Sequence, residues 1–335
     1  MTTHIAINGF GRIGRCVLRA LYESGRTDVK VVAINDLAPP DHLAHLLKYD
    51  SVHGVFSHDV RVEGDTLIIA GDVIKLSASP KPEDLPWDGV DIALECTGRF
   101  NSRDKAAQHL ENGSKRVLVS APASQADRTV VFGVNSDQLT AADVVVSNAS
   151  CTTNCLAPVA KILDETVGIK TGYMTTIHAY TGDQPSHDRD HSDLYRARAC
   201  ALSMVPTSTG AARAISLVLP HLEGRFEGSA IRVPTANVSL VDLSFVPERA
   251  ATVEMVNAAM QAASTGALKG VLGYEPAPLV SSDFNHNPLS SVFAPALTSV
   301  TQDGMVRIVS WYDNEWGFSN RMLDTSAHMG SLLAG

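Results

Sequence analysis

The residue types and spacings in this chain that promise chemistry are a cysteine, a histidine and a glycine-rich turn. Cys151 sits in the run Ser147-Asn148-Ala149-Ser150-Cys151-Thr152-Thr153-Asn154-Cys155, where a strand-like stretch gives way to a helical one. A thiol at a helix N-terminus meets unpaired N–H groups and the positive end of the helix dipole, which favour the nucleophilic thiolate. His178, in Thr175-Thr176-Ile177-His178-Ala179-Tyr180, ends the next strand-like run and is the candidate base. Gly9-Phe10-Gly11-Arg12-Ile13-Gly14 is a GxGxxG between a strand-like stretch at 4–8 and a helical one at 11–23. Gly9 permits the tight turn, Gly11 lets backbone approach a pyrophosphate, and Gly14 allows close helix–strand packing. Asp36 closes the following strand, where an acid accepts the ribose 2′-OH of NAD and repels the 2′-phosphate of NADP. A soft nucleophile beside a hydride acceptor suggests aldehyde oxidation through a thioester.

These residues need elements to position them. The first half alternates strand-like runs (4–8, 29–35, 91–96, 116–120, 144–147) with helical stretches such as 102–112, which predicts βαβ units in a mainly parallel sheet. After Cys151 a helix is expected over 152–167, with Pro158 placed to kink it. Longer strand-like runs follow at 170–180, 229–245 and 305–312, with helices at 209–219 and 252–263. Val241, Leu243 and Phe245 alternate with Asp242 and Ser244, the pattern of a sheet packed on one face with antiparallel pairs. Residues 181–203 form a polar segment of little periodicity, and 319–333 read as a final helix. The expected architecture is α/β: a Rossmann-type dinucleotide-binding domain at 1–150, completed by a C-terminal helix at 315–335, and an α+β catalytic domain at 151–314 with a mixed or antiparallel sheet.

Bulk properties narrow the class. The 335 residues suit two domains, and 44% hydrophobic with 19% charged residues is an ordinary globular composition. A net charge of −9 offers no basic stripe for nucleic acid or an anionic membrane surface. Five scattered cysteines do not form a disulfide framework, and Cys155, one helical turn past Cys151, reads as a buried hydrophobe. Cys151 and Cys155 have no second Cys or His pair of matching spacing to complete a metal site, so no metal is expected, and His187-Asp188-Arg189-Asp190-His191 reads as a solvated loop. There is no signal-peptide pattern at the start, which makes a cytoplasmic enzyme the expectation.

Six runs carry a family resemblance. INGFGRIGR near the start, SNASCTTNC around Cys151, TTIHAYTGDQ around His178, STGAA at 208–212, AIRVPTANVS at 230–239 and SWYDNEWGFSNR at 310–321 resemble phosphorylating glyceraldehyde-3-phosphate dehydrogenase over essentially the whole chain. The resemblance implies a homotetramer converting D-glyceraldehyde 3-phosphate, NAD and inorganic phosphate to 1,3-bisphosphoglycerate, as in glycolysis and gluconeogenesis. It implies Cys151 as nucleophile and His178 as base, then acid. Arg12, Ile13, Asp36, Thr97, Ser120 and Asn314 match cofactor contacts, Asn314 at the nicotinamide carboxamide. Thr181 and Arg232 match contacts to the substrate phosphate. Ser150, Thr152, Arg196, Thr209 and Gly210 match contacts to the attacking phosphate.

Three positions depart from the commonest pattern. Phe318 stands where a Tyr is frequent, and Arg189-Asp190 replace a Leu-Pro pair common in strictly NAD-using relatives. Arg189 is therefore a residue to watch for NADP tolerance. Erythrose-4-phosphate dehydrogenase, a sister enzyme with the same thiol and histidine, is the nearest alternative, and the Ala179-Tyr180-Thr181 segment favours the triose enzyme. A non-catalytic nucleotide- or nucleic-acid-binding role is opposed by the acidic charge and the intact Cys/His pair.

Overall fold

The computed structural model describes residues 2–333, which form two compact units. The first comprises the described part of Met1–Phe132, Ser136–Ala149 and Ser319–Gly335; the second comprises Gly133–Asn135 and Ser150–Phe318.

A nine-stranded sheet organises the first unit. Thr3–Asn8 lies near its centre, parallel to Val29–Asn35 on one side and to Ile92–Glu95 on the other. Ile5, Ala6 and Ile7 are all fully buried, because a parallel strand covered on both faces buries consecutive side chains. Arg116–Val119 and Val145–Ser147 extend the parallel part. Asp72–Ser77 flanks Val29–Asn35, and antiparallel strands Thr66–Ile69 and Val60–Glu63 finish that edge. Helix Arg12–Glu23 links the first two strands. The helix expected over 102–112 is two short ones, Arg103–Ala106 and Gln108–Glu111, with Ser102 Oγ capping the first. Trp316–Ser331 is the last helix; residues 334 and 335 of the expected 315–335 span lie outside the described residues. Its later turns are tied into this unit, where Arg116 donates to Met329 O at 3.0 Å and Thr325 Oγ1 donates to Asn148 Oδ1 at 2.9 Å.

The second unit has an eight-stranded mixed sheet. Ile169–Ala179 runs parallel to Phe226–Val233 and antiparallel to Ser239–Pro247, which pairs antiparallel with Val306–Tyr312. The single strand expected over 229–245 is thus corrected to two, lying on opposite sides of Ile169–Ala179. Pro234, which has no N–H to give a ladder, follows the first, and Val238 adopts φ 70° just before the second. Val241, Leu243 and Phe245 are buried, while Asp242 on the other face meets Arg307 at 2.8 and 2.6 Å. Helix Cys151–Val167 runs through Pro158 without ending there, and Gly168, at φ 70°, follows its last turn. Leu156 and Val159 on this helix are fully buried. Residues 181–203 hold neither helix nor strand. Among the described residues, no helix is long and apolar enough to cross a membrane.

Candidate active site

Ser150 caps the helix: its Oγ accepts from Thr153 N at 3.0 Å. Cys151 is therefore the first helical residue, where backbone N–H groups have no partner within the helix. Ala149 holds φ at 56°, a left-handed turn rare for alanine, two residues before the thiol. The helix and the strand that follows it bring Cys151 Sγ to 3.5 Å from His178 Nε2. His178 Nδ1 lies 2.7 Å from Ala179 O. Arg232 Nη1, which can only donate, lies 3.1 Å from the same Nδ1. The tautomer in which Nδ1 donates to the Ala179 carbonyl is the one that leaves the Nε2 lone pair toward the thiol, as a base requires. Tyr312 sets its ring edge-on to His178 at 5.9 Å, and its hydroxyl lies 2.8 Å from Thr152 Oγ1 and 2.9 Å from Thr176 Oγ1.

Burial and the neighbouring Arg232 cation hold His178 neutral, with a pKa of about 3. Burial also pushes the Cys151 thiol up; Arg232 and the N–H groups of the helix terminus pull the other way without overcoming it. Taken as a whole residue, Cys151 is only half-buried. The N–H groups of the helix terminus do favour thiolate, as the sequence suggests, but desolvation outweighs them. Burial thus favours the neutral forms of both the thiol and the imidazole, with Sγ and Nε2 3.5 Å apart for proton transfer as an electrophile arrives.

Two groups of residues that the resemblance assigns to phosphates lie in this unit. Arg232 is in register with His178 on the adjacent strand. Its Nη1 donates to Ala179 O at 3.0 Å and to Thr181 Oγ1 at 3.3 Å, while its buried Nε has no partner. An orphaned guanidinium N–H is costly unless a ligand satisfies it, and a phosphate oxygen suits it well. The second group is Ser150, Thr152, Thr209, Gly210 and Arg196, of which Arg196 Nη2 lies 3.4 Å from Ser208 O, next to Thr209. Gly210 opens helix Ala211–Val218, and Thr209 Oγ1 accepts from Ala211 N at 3.2 Å. Arg196 donates from Nε to Thr207 Oγ1 at 3.0 Å and from Nη1 to Asp183 Oδ2 at 2.8 Å. The Thr152 hydroxyl points inward to Tyr312. Asn314 is buried, with Oδ1 accepting from Ser239 Oγ at 2.8 Å; that hydroxyl also accepts from Ala179 N at 3.1 Å. Tyr312, Ser239 and Asp183 escaped the sequence reading because nothing in their types or spacing marks them. Their places inside the matching runs were the only signal.

The nucleotide pocket belongs to the first unit. Gly9, Gly11, Asn8, Asp36, Thr97 and Phe100 are among its lining residues. Gly9 has φ 91°, and a Cβ there would lie 2.7 Å from Thr97 N. A Cβ on Gly14 would fall 2.3 Å from Gly9 O, so only glycine allows the helix this close to the turn. At Gly11 a Cβ would meet nothing within 4 Å: that face is open for a ligand to approach the backbone. Asp36 accepts from Phe10 N at 2.7 Å and Ala38 N at 3.0 Å, which fixes its carboxylate beside the glycine turn. Thr97 N donates to the buried Glu95 Oε1 at 2.8 Å, and Ser120 N to Glu95 O at 3.0 Å. Ile13 is half-buried, and Arg12 is paired with Asp50.

The sequence pattern described as the NAD binding domain of glyceraldehyde 3-phosphate dehydrogenase matches residues 3–103, and that described as its C-terminal domain matches residues 150–314. The chain belongs to the glyceraldehyde-3-phosphate dehydrogenase family. It is 63% identical over 333 residues to the glyceraldehyde-3-phosphate dehydrogenase of Cereibacter sphaeroides, covering 99% of this chain and all of that one. Against the enzyme of Xanthobacter flavus the identity is 62% over 334 residues, again 99% and 100%. Against that of Geobacillus stearothermophilus it is 53% over 334 residues, 99% of each chain. Membership makes this an NAD-dependent oxidoreductase, and the glycine turn with Asp36 has the donor set and the open face that NAD requires.

Replacing Asp36 tests that choice of cofactor. Asp36→Ala should weaken NAD, through the lost ribose hydrogen bond, and improve NADP, through the lost repulsion. Steady-state kcat/KM with each cofactor measures it. Equal use of NAD and NADP by the unaltered protein would overturn the argument and make Arg189→Leu the next variant to measure.

Proposed function

We propose that the chain oxidises D-glyceraldehyde 3-phosphate to 1,3-bisphosphoglycerate with inorganic phosphate. Cys151 Sγ adds to the aldehyde carbon as His178 Nε2 takes the thiol proton. The backbone N–H of Cys151 and the protonated His178 stabilise the oxygen as it gains charge. NAD, when bound, supplies the acceptor for the hydride that leaves this carbon. Cys151 then carries the oxidised carbon as a thioester, and an oxygen of inorganic phosphate displaces the sulfur, giving an acyl phosphate and restoring the thiol. Thr181 and Arg232 hold the substrate phosphate. Ser150, Thr152, Thr209, Gly210 and Arg196 hold the attacking one. Arg12, Ile13, Asp36, Thr97, Ser120 and Asn314 serve the cofactor, with Asn314 at the nicotinamide carboxamide. The domain assignment that goes with this reading is 1–150 with 315–335 for the cofactor and 151–314 for catalysis.

The observation that carries the reading is a cysteine 3.5 Å from a neutral histidine, with an unpartnered arginine N–H on the adjacent strand. Arg232→Ala tests it. A charge-assisted hydrogen bond contributes roughly 1.5–3 kcal/mol, so kcat/KM for glyceraldehyde 3-phosphate should fall about 10–100-fold. Unphosphorylated glyceraldehyde should lose far less, having no phosphate to hold. Equal losses for both would make Arg232 structural and displace the anion site.

The assembly is a homotetramer, and the compartment is the cytoplasm. Support for assembly comes from apolar side chains left in water by the single chain: Leu194 and Leu202 are each 81% exposed, Met204 75% and Tyr195 63%. Four large apolar side chains exposed within residues 194–204 suit a surface that a second copy covers. Sedimentation should give about four times the 35.7 kDa chain mass, and a monomer at micromolar concentration would refute the assignment.

A further inference from the structure

Arg196 does not stand alone. Thr207 Oγ1 anchors its Nε, and Thr207 in turn donates to Asp193 Oδ2 at 2.6 Å. Its outer nitrogen Nη1 is 2.8 Å from Asp183 Oδ2. Asp183 also has His191 Nε2 3.4 Å from its other oxygen, and its charge is felt at Arg232. Its side chain is half-exposed, and its cationic neighbours keep it ionised. Two carboxylates thus border the very guanidinium assigned to an incoming anion: Asp183 on Nη1, and Asp193, whose Oδ2 lies 3.6 Å from Nε but already accepts from Thr207. By Coulomb's law alone this is a poor arrangement, since one negative group repels the other.

The conflict disappears if the anion brings a proton. Inorganic phosphate near neutral pH still carries at least one P–O–H, which can donate to a carboxylate; sulfate carries none. We propose that Asp183 is a specificity-determining residue that selects a protonated oxyanion at the Arg196 site. The P–O–H donates to Asp183, and the unprotonated oxygens are left to Arg196 and the two helix N-termini. An acceptor-only carboxylate facing an acceptor-only sulfate oxygen is the repulsive element that specificity requires. This inference rests on the reading that Arg196 holds the attacking phosphate.

The test uses the full-length enzyme with glyceraldehyde 3-phosphate and NAD saturating, inorganic phosphate varied, and sodium sulfate as inhibitor at constant ionic strength. The readout is the ratio of the sulfate Ki to the phosphate KM, taken from inhibition competitive with phosphate. In the unaltered protein the ratio should be high. Asp183→Asn, whose amide can both donate and accept, should lower it by about tenfold, a modest effect because the side chain is partly solvated. Asp183→Ala should lower it in the same direction. An unchanged ratio in both variants overturns the proposal. Arg196→Gln separates this failure from failure of the site itself: it should raise the phosphate KM by about tenfold or more. If Arg196→Gln leaves that KM unchanged, the phosphate reading falls and the role of Asp183 falls with it.

Discussion

Cys151→Ser should abolish NADH formation from glyceraldehyde 3-phosphate while leaving NAD bound. Serine keeps the size and the helix-terminal position but replaces the thiol with an alcohol that is scarcely ionised near neutral pH. Burial already pushes the thiol up. The same desolvation acting on an alcohol puts its anion out of reach, and an oxygen ester would replace the thioester that phosphate must cleave. The glycine turn and Asp36 lie in the other unit and are untouched, so NAD titration by fluorescence should give an affinity near that of the parent. Near-normal turnover would remove the thioester from the mechanism.

His178→Asn should lower kcat by about 10²–10⁴-fold, the usual contribution of a positioned acid–base group. Its Nε2 is the proton acceptor 3.5 Å from Sγ, and asparagine cannot take that proton. Iodoacetate labelling of Cys151 near neutral pH should slow for the same reason. The variant should also show its loss in stability measurements. The folded His178 titrates at about 3, whereas an unfolded histidine titrates near 6.5. Between those values the unfolded chain binds the extra proton, so the contribution is complete above about 6.5 and is lost as pH falls toward 3. Denaturant midpoints should therefore fall less steeply on acidification in His178→Asn than in the parent. Unchanged kcat together with an unchanged labelling rate would take His178 out of the site.

Most of the dinucleotide-binding unit is legible in the sequence. Glycines at 9, 11 and 14 mark backbone positions where a side chain would collide or close an open face, and steric exclusion of that kind leaves a fixed trace. The buried parallel strands leave another, as unbroken apolar runs such as Ile5-Ala6-Ile7. Cys151 and His178 are legible because their runs are specific, and local periodicity puts one at a helix start and the other at a strand end.

Long-range pairing decided the rest. The stretch 229–245 reads as one strand from its apolar and β-branched residues at both ends, yet Pro234 and the bent segment 234–238 split it into two strands flanking Ile169–Ala179. That placement alone puts Arg232 in register with His178 and lets Ser239 bridge Ala179 N and Asn314. Protonation was likewise hidden. A helix N-terminus predicts thiolate, but the depth of burial, a property of the packed fold, opposes it. Asp183 and Tyr312 acquire a role only because tertiary contacts bring them to Arg196 and to His178. The chemistry available and the elements that carry it follow from residue type and local spacing, and so can be read along the chain. The tertiary structure decided which charges face one another and how far they are from water, because Coulomb and desolvation energies depend on distances between residues far apart in the chain.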